Sequence, residues 1–144
     1  TTAGRDDIRF GCSQFHQVCK RRNIHPLTTV LHSPWVRTTQ TANIIAAAFN
    51  PPVLRAENAL RPDGTVTAVD TALSECDSGR SDQHVALVSH QPLVTYLVDH
   101  YLGESGVVPP LPPGGLVTLS LDVAAPACAH VVFWAFPKAY EVGV

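Results

Sequence analysis

Two short stretches of the chain carry residue types that suit the binding of a phosphate-like anion. Ser33–Ala42 reads SPWVRTTQTA, and Ser89–Pro92 reads SHQP. Each follows an apolar run and precedes a helical pattern, which predicts a strand, a tight turn and a helix start. A helix start carries unpaired N–H groups and the positive end of the helix dipole. The guanidinium of Arg37 in that first turn adds a forked donor, so the sequence predicts an anion site.

Strand and helix patterns alternate along the chain and position these two stretches. The patterns predict loop over residues 1–10, helices over 11–22, 34–49, 65–76 and 92–102, a polar connection over 77–83, and strands over 27–32, 52–55, 84–88, 116–123 and 130–136. The alternation predicts a three-layer α/β/α fold with a mostly parallel sheet and a C-terminal antiparallel hairpin. Ligand sites in such sheets lie at the carboxyl ends of the strands, where both stretches fall.

Length and composition narrow the class of protein. A chain of 144 residues is expected to form one domain, residues 1–144. The net charge of −2 gives no overall attraction to nucleic acid or to an anionic membrane, and no apolar run is long enough to span a bilayer. The four cysteines lack metal-ligand spacing, so we expect free thiols, no metal site and a cytoplasmic location.

The two stretches also resemble motifs of a known family. Ser33–Ala42 resembles the S-P-x-x-R-[AT]-x-Q-T-A block of the histidine phosphatase superfamily, the phosphoglycerate-mutase-like branch, and Val88–Pro92 is similar to its second histidine block. Within the superfamily, Gly4–Arg9 and Leu60–Gly64 are most similar to SixA-type phosphohistidine phosphatases. The resemblance covers nearly the whole chain.

The resemblance implies a phosphatase that needs no cofactor and no metal. In this family one histidine attacks phosphorus, and water then releases phosphate from the phosphohistidine. Arg37 matches the second arginine of the family's phosphoryl pocket, and His90 matches the histidine that is not the nucleophile. Arg37 would neutralise the equatorial oxygens of the transition state, and protonated His90 would donate to the same charge. The expected substrate is phosphohistidine on a signalling or phosphotransfer protein, or a small phosphate ester.

One part of the family pattern is missing from these residues. The family's nucleophile lies in an R-H-G motif after a strand that is central to the sheet, and the sequence contains no R-H-G. By resemblance we expect this motif just upstream of Thr1, because Gly4–Gly11 looks like the segment that follows it. We expect negligible activity without the nucleophile. The alternative function is a non-catalytic relative that binds a phosphorylated partner through Arg37 and His90.

Three further residues have more than one interpretation. Ser33 either contacts phosphate or caps the helix that follows Pro34, and the capping interpretation is favoured. Asp63 either donates a proton to the leaving group or forms a turn, and the turn is favoured. Serine hydrolysis by Ser33 or Ser89 with His90 is disfavoured, because the chain lacks a G-x-S-x-G elbow.

Overall fold

The computed structural model describes residues 2–76, 83–123 and 125–143. The helices are α1 (Thr2–Arg21), α2 (Val36–Phe49), α3 (Val66–Cys76) and α4 (Leu93–Leu102), and a short 3₁₀ helix spans Asn58–Leu60. The strands are β1 (Thr29–His32), β2 (Val53–Ala56), β3 (Val85–Val88), β4 (Leu116–Leu121) and β5 (Ala129–Ala135). The polar connection predicted over 77–83 lies, except for its last residue, outside the described residues.

The strands form a parallel sheet and a separate antiparallel hairpin. The parallel sheet has the order β2-β1-β3, with Leu31 of β1 opposite Leu87 of β3. The hairpin pairs β4 with β5 and contains an irregularity between Thr118 and Leu119. Helices cover both faces of the parallel sheet, so the predicted α/β class is confirmed.

Neighbouring residues of β1 enter opposite layers, because successive side chains of a strand point to opposite faces. Val30 packs with Ala42 of α2, whereas Leu31 packs with Leu93 and Leu97 of α4. Val30 and Leu31 are both fully buried. This two-sided burial fixes the register of β1 and therefore the position of the turn that follows it.

Two expectations about these elements were wrong. Residues 2–10 are helical rather than loop, since α1 extends to Thr2. Strand β3 was expected to be buried on both faces, but all four of its residues are only half-buried. The reason for the second difference is the sheet order, because among the described strands β3 is an edge strand that pairs on one side only.

No helix in the described part of the chain is long and apolar enough to cross a membrane.

The loop that follows α4 packs along α4. Val108 of this loop is buried, and Gln91 Nε2 donates to the carbonyl oxygen of Leu111 at 3.1 Å. The loop is therefore anchored beside the turn that follows β3.

Candidate functional site

Hydrogen bonds join the turns that follow the three parallel strands. The N–H of Ser33, after β1, donates to Val88 O at 2.9 Å, and the N–H of Glu57, after β2, donates to His32 O at 2.8 Å. Ser89, after β3, donates through Oγ to Leu60 O at 2.7 Å. The carboxyl edge of the sheet is therefore one connected surface, as expected of a ligand site in an open α/β fold.

Ser33 and His90 meet at the centre of this surface. Ser33 Oγ lies 2.9 Å from His90 Nε2, and it also accepts the N–H of Trp35 at 3.4 Å. Ser33 is fully buried, and Thr38 Oγ1 donates to its carbonyl oxygen at 2.8 Å. This contact confirms the prediction that the two turns lie together.

Ser33 is not the N-cap of α2. The helix begins at Val36, and its N-cap residue is Trp35, which makes no side-chain capping bond. The favoured capping interpretation of Ser33 is therefore wrong. Its hydroxyl instead contacts the His90 ring and accepts the N–H of Trp35, with no surface left exposed to solvent.

Burial lowers the pKa of the His90 imidazole below its ordinary value. The ring is therefore neutral at pH 7 in the free protein, and either it or Ser33 donates in their contact, depending on the tautomer. A bound anion favours the protonated ring, because an opposite charge stabilises the charged form. The site thus has a group that can gain a proton when an oxyanion arrives.

Arg37 occupies the first turn of α2, directly after the Ser33 turn. Its side chain is exposed, and no hydrogen bond or ion pair engages it within residues 2–76, 83–123 and 125–143. No acidic residue lies in the first turn of α2 either. An unengaged guanidinium at a helix N-terminus is available to an anionic ligand.

Asp63 lies farther out on the loop that follows the 3₁₀ helix. Its side chain is 82% exposed, and its Oδ1 lies 3.7 Å from Arg61 Nε. It makes no contact with Ser33 or His90 in the described part of the chain. Asp63 therefore lies on the surface as a turn residue and is paired with Arg61.

The motifs did not single out Trp35, although it lies against His90. The ring centroids are 5.3 Å apart with an interplanar angle of 67°, an edge-to-face arrangement. Trp35 occupies a variable position of the S-P-x-x-R block, so the motif did not mark it as a site residue. The sequence showed only that a large aromatic residue lies near the start of a predicted helix.

His32, which the sequence placed in the first of the two turns, lies at the end of β1. It is buried, and its Nδ1 lies 2.8 Å from Ser33 O.

Within the described residues, no group of three or more His, Cys, Asp or Glu side chains is placed to hold a metal ion.

The serine-hydrolase alternative lacks support in this geometry. Ser89 Oγ is directed to Leu60 O, away from His90. Ser33 does contact His90, but it has no exposed surface on which to receive a substrate. No carboxylate orients His90 in the described part of the chain, as the third member of a catalytic triad would.

Comparison with known proteins finds solved structures of similar fold. No protein-family model and no curated protein matches the chain. Among solved structures, the protein histidine phosphatase SixA complexed with tungstate is similar, with 26% identity, a TM-score of 0.77, and coverage of 95% of this chain and 83% of that one.

Two further solved structures share the fold at lower identity. A protein from Agrobacterium tumefaciens assigned as a phosphohistidine phosphatase SixA is 21% identical, with a TM-score of 0.66 and coverage of 95% of this chain and 82% of that one. Phosphoglycerate mutase from Plasmodium falciparum is 17% identical, with a TM-score of 0.69 and coverage of 99% and 88%. The resemblance to the histidine phosphatase superfamily, and to SixA-type proteins within it, is confirmed.

Proposed function

We propose that this chain forms most of a phosphatase that removes the phosphoryl group from phosphohistidine on a signalling or phosphotransfer protein. The observation that carries the proposal is the 2.9 Å contact between Ser33 Oγ and His90 Nε2 at the carboxyl ends of two neighbouring parallel strands. The similarity to a SixA phosphatase over 95% of the chain supports it. Four free thiols support a cytoplasmic location as part of the same proposal.

In this proposal Arg37 and His90 bind the phosphoryl oxygens. Phosphoryl transfer depends on positioning and on stabilising the charge of the three equatorial oxygens. Arg37 supplies two parallel N–H donors, and the N-terminus of α2 adds unpaired backbone N–H groups. His90 takes up a proton as the anion binds and then donates to it, while Ser33 holds the ring in place. Asp63 keeps the turn interpretation, because its side chain is 82% exposed and lies 3.7 Å from Arg61 Nε.

The attacking histidine would come from a strand outside the 144 residues. Two strand edges support this part of the proposal. Among residues 2–76, 83–123 and 125–143, β3 pairs with β1 alone and β4 pairs with β5 alone. An extended segment that pairs with β3 in parallel would end at the same edge of the sheet as His90. A histidine at the end of such a segment could attack the phosphorus in line with the leaving group.

A phosphorylated protein fits this site better than a small phosphate ester does. The surfaces around the site are exposed at Trp35, Val36 and Asp63, so a side chain presented by another protein has access. A small ester would gain little binding energy there, because tight small-molecule sites bury most of their ligand.

Tungstate binding to the 144-residue chain tests the phosphoryl site. Arg37→Ala should weaken binding about ten- to hundredfold at pH 7.5, since a charge-assisted hydrogen bond contributes about 1.5–3 kcal/mol. Arg9→Ala is the matched control, because Arg9 is an exposed arginine that pairs with Asp6 on α1. Isothermal titration calorimetry measures both. Equal affinity of the Arg37 variant and the unmodified chain would reject the site.

The alternative is a non-catalytic phosphoprotein-binding relative, favoured by the lack of an R-H-G sequence in the chain. Phosphate release separates the two functions. A version extended at its N-terminus by a strand that ends in Arg-His-Gly should hydrolyse a phosphohistidine peptide, and replacement of that added histidine by alanine should abolish release. Retained binding without release in the extended version would favour the binding function.

A further inference from the structure

Trp35 is a large aromatic residue held at the edge of the candidate site with half its surface in solvent. Trp35 is 52% exposed as a residue, and the next residue, Val36, is 72% exposed. An indole contributes most to stability when it is buried, so the core gains little from this one. Its exposure therefore needs a reason other than packing.

The backbone of Trp35 is fixed on both sides. Its N–H donates to Ser33 Oγ at 3.4 Å, and its carbonyl oxygen accepts from Thr39 N at 2.9 Å. Thr38 Oγ1, which shares its one proton between the carbonyl oxygens of Ser33 and Trp35, lies 3.0 Å from Trp35 O. These bonds fix where the side chain leaves the backbone, and the edge contact with the His90 ring orients the indole itself. A ring held in this way loses less freedom when a ligand binds than an unrestrained ring would.

One edge contact places this surface next to the proposed phosphoryl site. The Trp35 and His90 ring centroids lie 5.3 Å apart at 67°, and His90 Nε2 is 2.9 Å from Ser33 Oγ. A phosphoryl group in contact with His90 has its leaving group one bond farther from the site, toward the solvent. The exposed indole borders the route along which that leaving group lies.

We propose that Trp35 is a specificity-determining residue that binds the aromatic ring of the leaving group, the imidazole of phosphohistidine. This inference rests on the proposed phosphatase function and extends it to the choice of substrate. Aromatic rings attract one another in edge-to-face and offset-stacked arrangements at centroid distances of about 4.5–7 Å. A protonated imidazole adds a cation–π attraction, which is strongest for tryptophan.

The chemistry of the leaving group makes this contact useful during the reaction. The P–N bond of phosphohistidine breaks, and its electron pair returns to the ring nitrogen as the new bond to phosphorus forms. A ring that carries a proton on its other nitrogen then leaves as neutral imidazole. Trp35 favours this protonated form before the step, because the indole face attracts a cation, and it touches neither the phosphorus nor the nucleophile.

Binding of two phosphonates to the 144-residue chain tests the inference without catalysis. The first is a peptide with a phosphonotriazole side chain, which resembles phosphohistidine and does not hydrolyse, and the second is methylphosphonate. Trp35→Leu should weaken binding of the triazole peptide up to about tenfold, through loss of the ring–ring contact alone because the triazole is uncharged, and should leave binding of methylphosphonate within twofold. Trp35→Phe should restore most of the loss, and Val36→Ala, in the same exposed turn, is the matched control.

The outcomes separate this inference from the proposed function. If the Trp35→Leu variant lost the same fraction of its affinity for both phosphonates, the indole would merely orient His90. That result would overturn the inference. Unchanged binding of both would overturn it as well. Failure of the unmodified chain to bind methylphosphonate would instead contradict the phosphatase proposal, on which the inference depends.

Discussion

His90 is the residue whose protonation connects the structure of the site to ligand binding. Burial lowers its pKa in the free protein, and a bound dianion raises it again because the opposite charge stabilises the imidazolium. At pH values between these two pKa values, His90 takes up a proton when the anion binds. Affinity for the anion therefore rises as the pH falls through this interval, and it levels off below the pKa of the free ring.

Sulfate is a suitable probe for this prediction, since it keeps its double charge between pH 5 and 8. We expect calorimetry to show tighter sulfate binding at lower pH, with proton uptake that disappears in His90→Gln. His130→Gln is the control, because His130 is an exposed histidine on β5. Sulfate affinity that does not change from pH 8 to pH 5 would contradict the assignment of His90 as an anion-binding group.

The sequence predicted part of this site and missed the rest for a physical reason. Arg37 and His90 were predictable because each belongs to a recognisable turn that follows an apolar run. The contact between Ser33 and His90 depends on the pairing of β1 with β3, which joins residues far apart in the chain. Trp35 was missed because its place in the site depends on its contact with the His90 ring. The local sequence pattern does not reveal a contact between residues so far apart in the chain.

Helix α1 shows where reasoning about elements from sequence failed. The pattern predicted a helix from Gly11, but the helix begins at Thr2. The first ten residues are mostly polar and include Gly4, and this composition is typical of a loop. An Arg9–Asp6 ion pair at 3.1 Å and an aromatic contact between Phe10 and Tyr140 at 6.2 Å lie within this part of the helix. Tertiary contact with the C-terminal segment outweighs the local composition.

Gly11 tests this packing of α1 against the C-terminal segment. A Cβ added there would lie 2.6 Å from Cζ of Tyr140, inside any normal contact distance. In an isolated helix, Gly→Ala stabilises by about 1 kcal/mol. In this protein Gly11→Ala should instead lower the free energy of unfolding, because overpacking costs about 1–3 kcal/mol.

Urea denaturation measures the effect, and a second substitution checks its cause. Tyr140→Ala removes the ring that the new methyl group meets, so Gly11→Ala should be neutral or stabilising in that background. Tyr140 Oη also donates to Gly114 O at 2.8 Å, so Tyr140→Ala is expected to be destabilising alone. A stabilising effect of Gly11→Ala in the unmodified chain would contradict the close packing.

At the scale of the whole molecule, the described strands form two sheets rather than one. The sequence predicted the strands and the hairpin correctly, and the alternation of strand and helix was enough for the fold class. It did not reveal that β3 would be a half-buried edge, because the apolar run of β3 is typical of a strand with neighbours on both sides. The composition of β3 thus matches a strand that has a partner on its second edge.

The open edge of β3 makes a prediction for backbone hydrogen exchange. His84 O accepts from the N–H of Thr29, and Val88 O accepts from the N–H of Ser33, directly after β1. The N–H groups of Val85 and Leu87 therefore face away from β1 by the alternation of a strand. These two amides should exchange rapidly with solvent, whereas the amide of Leu31, which is fully buried between β2 and β3, should exchange slowly. Hydrogen–deuterium exchange followed by NMR resolves the three residues.

The same measurement connects the sheet to the proposed function. In the version extended by a strand that ends in Arg-His-Gly, pairing along β3 should slow exchange at Val85 and Leu87 and leave Leu31 unchanged. A strand of the same composition with a proline at its centre is the matched control, since proline lacks the N–H that the ladder needs. Protection of Val85 and Leu87 in the unextended chain would contradict the open edge. Rapid exchange at both residues in the extended version would contradict the placement of the nucleophile beside His90.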